Sequence, residues 1–424
     1  MNFENSLDFA KQWDEKDPLK SYKNEFLFPQ HNGKPVIYFT GNSLGLQPKT
    51  AQAKVQEVMN DWATLAVDGH FYGKNPWWEM HEKLSPMLAN IVGAKPEEVA
   101  AMNTLTANLH FLMVSFYKQT PNRYKIICEE KAFPSDQYAF QSQLRFHGYH
   151  PQEGIIEIKK RAGTPHWHTE DILETIEKNK DEAALLLMGG VNYYNGQVFD
   201  MQSITQKAKA CGLMVGWDLA HAVGNVKLDL HKWDVDFATW CSYKYLNSGP
   251  GSLAGIYVNE KYLSKTDLRR FEGWWGQDKA TRFQMQKTFT PMPNAEAWQL
   301  SNLPILSLAP QLASVGMFEE IGMDVLVAKS RKLTGYLLFL LENSQGCNRH
   351  FEVLTPSERG CQLSIYFKNK GREVFDALSK QGVVSDWREP GVIRLAPVPL
   401  YSSFEEMYLF GEIFENILRQ VYTV

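Results

Sequence analysis

The chain has 424 residues, too many for one ordinary domain, and two are expected. Hydrophobic residues make up 44% and charged residues 22%, the balance of a soluble globular protein, and the net charge of -4 excludes a general nucleic-acid binder, which needs a basic surface. The five cysteines, Cys128, Cys211, Cys241, Cys347 and Cys361, form no CxxC pair and are odd in number, so free thiols in a reducing cytoplasm are expected. No basic stretch followed by an apolar one opens the chain, so no signal peptide is expected, and the longest apolar run, 336–341, is far short of the ~20 residues that span a bilayer.

In chain order, residues 1–60 carry little periodicity and are expected to pack beside the C-terminal unit. From 61 to 302, short apolar runs alternate with helical patterns. Residues 126–128, 184–188, 213–217, 237–241 and 253–258 read as buried strands, and 202–211 as a helix closed by Gly212. That alternation predicts an α/β unit with a mostly parallel sheet. Residues 303–345 read as a helical connection. The tail predicts a smaller α+β domain: a strand at 361–367, a helix at 372–380 and a strand at 392–395. Ser403-Phe-Glu-Glu406 is a capping box that opens a last amphipathic helix to Tyr422. The expected division is therefore 1–60, 61–302 and 303–424.

Ligands of open α/β sheets bind at the carboxyl ends of strands, and four such places carry polar groups. Asn103-Thr-Leu-Thr-Ala-Asn-Leu-His110 opens a helix with Leu109, Leu112, Met113 and Phe116 on one face; its first turn, with Thr106, suits a phosphate, although Thr at a helix start is equally a cap. In Phe133-Pro-Ser-Asp136, Phe133 could stack on a flat ring and Asp136 could bond it; the bland reading has Ser135 or Asp136 capping the next helix. In Gly216-Trp-Asp-Leu-Ala-His221, a strand ends in Asp218, which suits a protonated pyridine nitrogen or, more simply, a cap or ion pair. In Ser242-Tyr-Lys-Tyr-Leu-Asn-Ser-Gly-Pro-Gly251, Lys244 follows an apolar strand and precedes a glycine-rich turn. A lysine there is costly unless used, and burial lowers an amine's pKa towards Schiff-base chemistry; the surface-lysine alternative fits the small apolar context poorly.

Together these motifs resemble the fold-type-I pyridoxal-phosphate (PLP) enzymes, the aspartate aminotransferase superfamily. With Tyr38-Phe-Thr-Gly-Asn-Ser-Leu-Gly-Leu-Gln-Pro48, Gly273-Trp-Trp-Gly276, Ser301-Asn302 and Arg394-Leu-Ala-Pro-Val-Pro-Leu-Tyr401, they resemble the kynureninases in order over nearly the whole chain. The resemblance implies a PLP-dependent hydrolase that cleaves the Cβ–Cγ bond of L-kynurenine or 3-hydroxy-L-kynurenine, giving anthranilate or its hydroxy form plus L-alanine. It implies service in tryptophan degradation, with NAD synthesis left open. Lys244 would hold PLP covalently and act as acid and base, with Asp218 at the pyridine nitrogen and Asp136, Ser135 and His221 beside the ring. Phe133 would stack on it, and Leu105, Thr106 and Tyr243 would bind the phosphate. Trp274 and Asn302 would join them from a second subunit, in a homodimer with shared active sites. Arg394 would grip the substrate carboxylate, with His70 and Trp275 along the substrate ring and Ser301 and Asn302 nearby. Two positions depart from the pattern: Gly189 stands where a Ser is expected, and Gln277 where some kynureninases carry His, which leaves the ring-substituent preference open.

Rival readings are an aminotransferase, a cysteine desulfurase and a PLP-binding regulator without turnover. A desulfurase needs a mobile nucleophilic cysteine; Cys347 is conceivable but lies in a polar loop before the small domain's strand, with no helper evident. A nicotinamide dehydrogenase is disfavoured, because no GxGxxG follows a strand. His166-Trp-His168 has metal-like spacing but no evident third ligand, and Arg269-Arg270 reads as a solvated face, so no metal is expected.

Overall fold

The computed structural model describes residues 3–344 and 348–423; Cys347 and residue 345, the end of the expected helical connection, lie outside them. Seven strands build the main sheet: β1 (Val99–Ala101), β2 (Lys125–Glu129), β3 (Ile155–Ile158), β4 (Ala183–Gly189), β5 (Met214–Asp218), β6 (Phe237–Trp240) and β7 (Gly255–Val258). Their spatial order is β1-β7-β6-β5-β4-β2-β3. All neighbours run parallel except around β7, which is antiparallel to both β6 and β1. β5, β6 and β7 are buried almost throughout, which is why their sequences are continuous apolar runs rather than alternating ones. The strand expected at 253–258 is thus present but reversed, and β1 and β3 carried too little pattern to be read.

Two helices at this sheet bear on the site, and an N-terminal one packs instead on the C-terminal helix of the chain. α1 (Leu7–Glu15) lies at the N-terminus, α2 (Leu105–Phe116) packs on β6, and α3 (Pro134–Phe146) packs on α2. The expected single connection after residue 303 is two helices, α4 (Ile305–Ile321) and α5 (Met323–Glu342). Gly322 breaks them apart with a φ of 80°, a backbone conformation that a side chain resists.

A second sheet holds β8 (Phe351–Val353), β9 (Leu363–Phe367), β10 (Asp386–Arg388) and β11 (Val392–Leu395), antiparallel in the order β8-β9-β11-β10. Its core joins Leu363, Ile365, Ile393 and Leu395 to Leu333 and Leu337 of α5 and to Phe410 and Phe414 of α6 (Phe404–Tyr422). The predicted capping box is present: the Ser403 hydroxyl accepts from the Glu406 N–H, and Glu406 accepts from the Ser403 N–H at 2.9 Å. Asp14 of α1 accepts from two further N–H groups of that first turn, Phe404 at 2.7 Å and Glu405 at 2.9 Å.

The N-terminal segment crosses between the two sheets. Ile37–Tyr38 pairs in parallel with Val383–Val384, and the Phe39 carbonyl accepts from the Ala396 N–H at 2.9 Å. Six residues later the Gly45 N–H donates to the Tyr243 carbonyl at 2.8 Å. A Cβ at Gly45 would lie 2.4 Å from the Lys244 carbonyl oxygen, so the close approach requires glycine.

Candidate active site

Neighbouring strands deliver their carboxyl ends to one place. Glu129 ends β2, Gly189 ends β4, Asp218 ends β5, and the segment after β6 carries Cys241, Tyr243 and Lys244. β1 leads into α2, whose first turn holds Leu105 and Thr106. These residues line one cavity together with Phe133, Ser135, Asp136, Val191, Tyr193, Ala220 and His221.

Asp136 does not cap α3: the residue before the helix is Phe133, it makes no side-chain cap, and Asp136 Oδ1 is buried without a partner. Asp218 does accept a local bond, from the Ala220 N–H at 2.7 Å, yet it is buried at the cavity wall. Lys244 is no surface lysine, because its Nζ lies 3.1 Å from His221 Nε2. The Thr104 side chain leaves the first turn of α2 uncapped, so backbone N–H groups beside Thr106 stay open to an anion. Phe133 keeps 43% of its surface exposed and meets the Tyr193 ring edge-on at 5.1 Å.

The electrostatics are those of a crowded acidic pocket. Burial pushes Asp136 well above the usual carboxylate range, and the Asp218 and Glu129 carboxylates push it further. Burial also raises Asp218, opposed by the Ala220 N–H and by Lys244. It raises Glu129 to about 7. Burial, then the positive charge of Lys244, holds His221 well below its ordinary value, so it stays neutral. A neutral His221 that accepts from Lys244 at Nε2 carries its proton on Nδ1, and that atom is buried without a protein partner. Burial raises the Tyr243 phenol, which stays protonated. A lysine amine, two partnerless buried polar atoms and an uncapped helix turn around one cavity fit a flat, phosphorylated, cationic ring.

Arg394 is fully buried next to this cavity, and its Nη1 donates to the carbonyl of Tyr193, a lining residue, at 2.6 Å. The remaining sequence candidates are not brought to the cavity within this chain. Trp274 is 40% exposed and donates to the Arg282 carbonyl; Ser301 and Asn302 are exposed. His70 contacts the Val67 carbonyl, and Trp275 is buried against Trp78 with its Nε1 unpartnered.

Gln277 is occupied inside its own loop by Thr281 and the Thr290 N–H. Beside Gly189 the expected hydroxyl is absent and the Glu129 carboxyl takes the space, 3.3 Å from the Gly189 N–H. Sequence reasoning missed Glu129, Tyr193, Asp386 and Arg388. An acid directly after an apolar strand was the available signal for Glu129, but Glu129-Glu-Lys131 reads as a solvated turn.

Among the described residues, one grouping places three metal-type ligand atoms within 4.8 Å of one another, His81, Glu82 and Glu296. Lys279 already pairs with Glu82, and His81 lies 3.3 Å from Glu296. No helix among the described residues is long and apolar enough to cross a membrane.

The chain is 62% identical over 420 residues to the kynureninase of Flavobacterium psychrophilum, covering 98% of this chain and 99% of that one. The chain belongs to the kynureninase family. Kynureninases of Myxococcus xanthus and Nematostella vectensis are 50% and 46% identical to it, covering 99% and 96% of this chain and 99% and 92% of theirs. A family model described as the kynureninase C-terminal domain matches residues 326–414. Among solved structures, a cysteine desulfurase of Thermococcus onnurineus superposes with a TM-score of 0.74 at 17% identity, covering 91% of this chain and 95% of that one. A variant of C-DES with glycine covalently linked to its PLP cofactor gives 0.74 at 14%, covering 89% and 96%. At such identities the likeness speaks for the fold, that of the fold-type-I PLP enzymes.

Proposed function

We propose that this member of the kynureninase family hydrolyses the Cβ–Cγ bond of L-kynurenine or its 3-hydroxy form, with PLP held on Lys244. The observation that carries the reading is Lys244 meeting His221 and the buried Asp136 and Asp218 in one cavity, in a chain 62% identical to a kynureninase. When bound, PLP supplies an electron sink for the substrate.

The chain's own residues do the rest. Lys244 Nζ anchors the cofactor and carries protons to and from the substrate carbons; His221, kept neutral, orients that amine. Asp218 would hold a proton at the ring nitrogen, with Asp136 beside the ring, and a cation there would draw their pKa values back down. The first turn of α2, with Leu105, Thr106 and Tyr243, takes the phosphate through backbone N–H groups and hydroxyls. Phe133 and Ser135 flank the ring, and Arg394 takes the substrate carboxylate.

His70, Trp274, Trp275, Ser301 and Asn302 complete the site from a second copy of the chain. Their separation from the Lys244 cavity within one protomer supports that dimer. In this reading residues 61–302 form the cofactor domain, while 1–60 pack with the smaller unit at 303–424. The enzyme works in the cytoplasm, in tryptophan degradation.

The test is incubation with kynurenine and no keto acid, following anthranilate by fluorescence and alanine by chromatography. Continuous release of one of each per turnover is expected. Turnover that stops after one equivalent and restarts with pyruvate means transamination instead.

A further inference from the structure

We propose that Asp386 is the positioning residue that aims Arg394 at the α-carboxylate of the substrate. The inference rests on the reading of Arg394 as the carboxylate clamp.

A guanidinium has five N–H donors. In Arg394, Nε donates to Asp386 Oδ1 at 3.1 Å, Nη2 lies 2.8 Å from Asp386 Oδ2, and Nη1 donates to the Tyr193 carbonyl at 2.6 Å. Three N–H groups are thereby used. Two remain, one on each terminal nitrogen, the number that a bidentate carboxylate takes.

The fold holds this arrangement firmly. Asp386 and Arg394 stand directly opposite each other in the β10–β11 ladder, Arg394 is 1% exposed, and Tyr193 belongs to the wall of the Lys244 cavity. Asp386 is also tied to Arg388 Nη2 at 3.3 Å and to the Ser43 hydroxyl at 3.4 Å, the latter in the Thr40-Gly-Asn-Ser-Leu-Gly45 segment. Two guanidiniums share one carboxylate, so the cluster keeps one net positive charge for an incoming anion while the direction of Arg394 is fixed.

Charge and aim predict opposite signs for the same substitution. Asp386→Asn adds one positive charge to the cluster, so an Asp386 that acted only by its charge would, when neutralised, let kynurenine bind more tightly. An Asp386 that aims the fork gives the reverse: KM for kynurenine rises about tenfold to a hundredfold, the scale of a charge-assisted hydrogen-bond network lost. Kynurenine carboxamide, which lacks the carboxylate, then changes little. Asp386→Glu keeps the charge and the folding balance but displaces the oxygens, and it too raises KM for kynurenine more than for the carboxamide. Visible absorbance of the cofactor on Lys244 reports that each variant holds PLP.

Arg394→Gln separates the two claims. If it leaves KM for kynurenine unchanged, the clamp reading falls and this inference with it. If Arg394→Gln raises KM while both Asp386 variants leave it unchanged or lower, the clamp stands and the role of Asp386 is overturned.

Discussion

At the scale of single residues, the site is built from groups held away from their ordinary protonation states, and Glu129 gives the cleanest measurable consequence. Its carboxyl is raised from 4.5 to about 7, mainly by burial, with the Asp218 carboxylate adding to it and the N–H groups of Glu129 itself and Gly189 opposing. Between those values the folded chain holds a proton that the unfolded chain has released. Stability therefore falls as pH rises through that window, by about 3 kcal/mol in total. Glu129→Gln has no proton to lose and can still accept from the Gly189 N–H. The variant and the parent are expected to melt alike near pH 5, with the variant melting higher at pH 8; thermal unfolding at the two pH values checks this, and equal melting at both removes the buried charge from the account. Lys244 and Asp218 were legible in the sequence because a charged side chain at the end of an apolar strand needs a reason. Glu129 and Asp386 were not, because each lies in a charged stretch, Glu129-Glu-Lys131 and Asp386-Trp-Arg388, that reads as solvated, although Glu129 is buried and Asp386 half-buried.

At the scale of elements, the start of α6 shows how local and distant signals combine. Ser403 caps one end of the ledger locally, and its pattern with Glu406 was readable from four residues. Asp14, 390 residues away, accepts from two further N–H groups of the same turn. Ser403→Ala is expected to cost about 1 kcal/mol, the usual value of a lost N-cap. Asp14→Ala strands one buried donor, the Phe404 N–H, and one partly buried donor, the Glu405 N–H, and is expected to cost more, about 2 kcal/mol. Denaturant unfolding orders the two variants, and cofactor absorbance should be the same in both; a larger loss in the Ser403 variant would refute the ranking. The same contrast explains the strands. Runs buried on both faces announced themselves by composition. The short β1 and the antiparallel sense of β7 did not, because direction is set by where the chain returns rather than by which residues it carries.

At the scale of the whole molecule, the sequence candidates divide into a set that one chain assembles and a set that it holds elsewhere. Mixing inactive Lys244→Ala and Asn302→Ala subunits tests whether a second copy reunites them. Random exchange gives hybrids with one intact site each, so about a quarter of the sites are expected to recover. No recovery, with exchange verified by mass, means that each chain is self-sufficient.

One consequence follows from the segment that leaves the smaller sheet at Phe39 and reaches the Tyr243 carbonyl at Gly45. It joins two bodies with separate cores through a turn in which the Ser43 and Leu44 N–H groups donate to the Thr40 carbonyl. A displacement of the smaller body would reach, through this turn, the Tyr243 carbonyl next to Lys244. The seat of the reactive amine is thus shared: the backbone beside Lys244 is held by a residue whose own chain is anchored in the smaller sheet, so a substitution that loosens the 40–44 turn should be felt at Lys244.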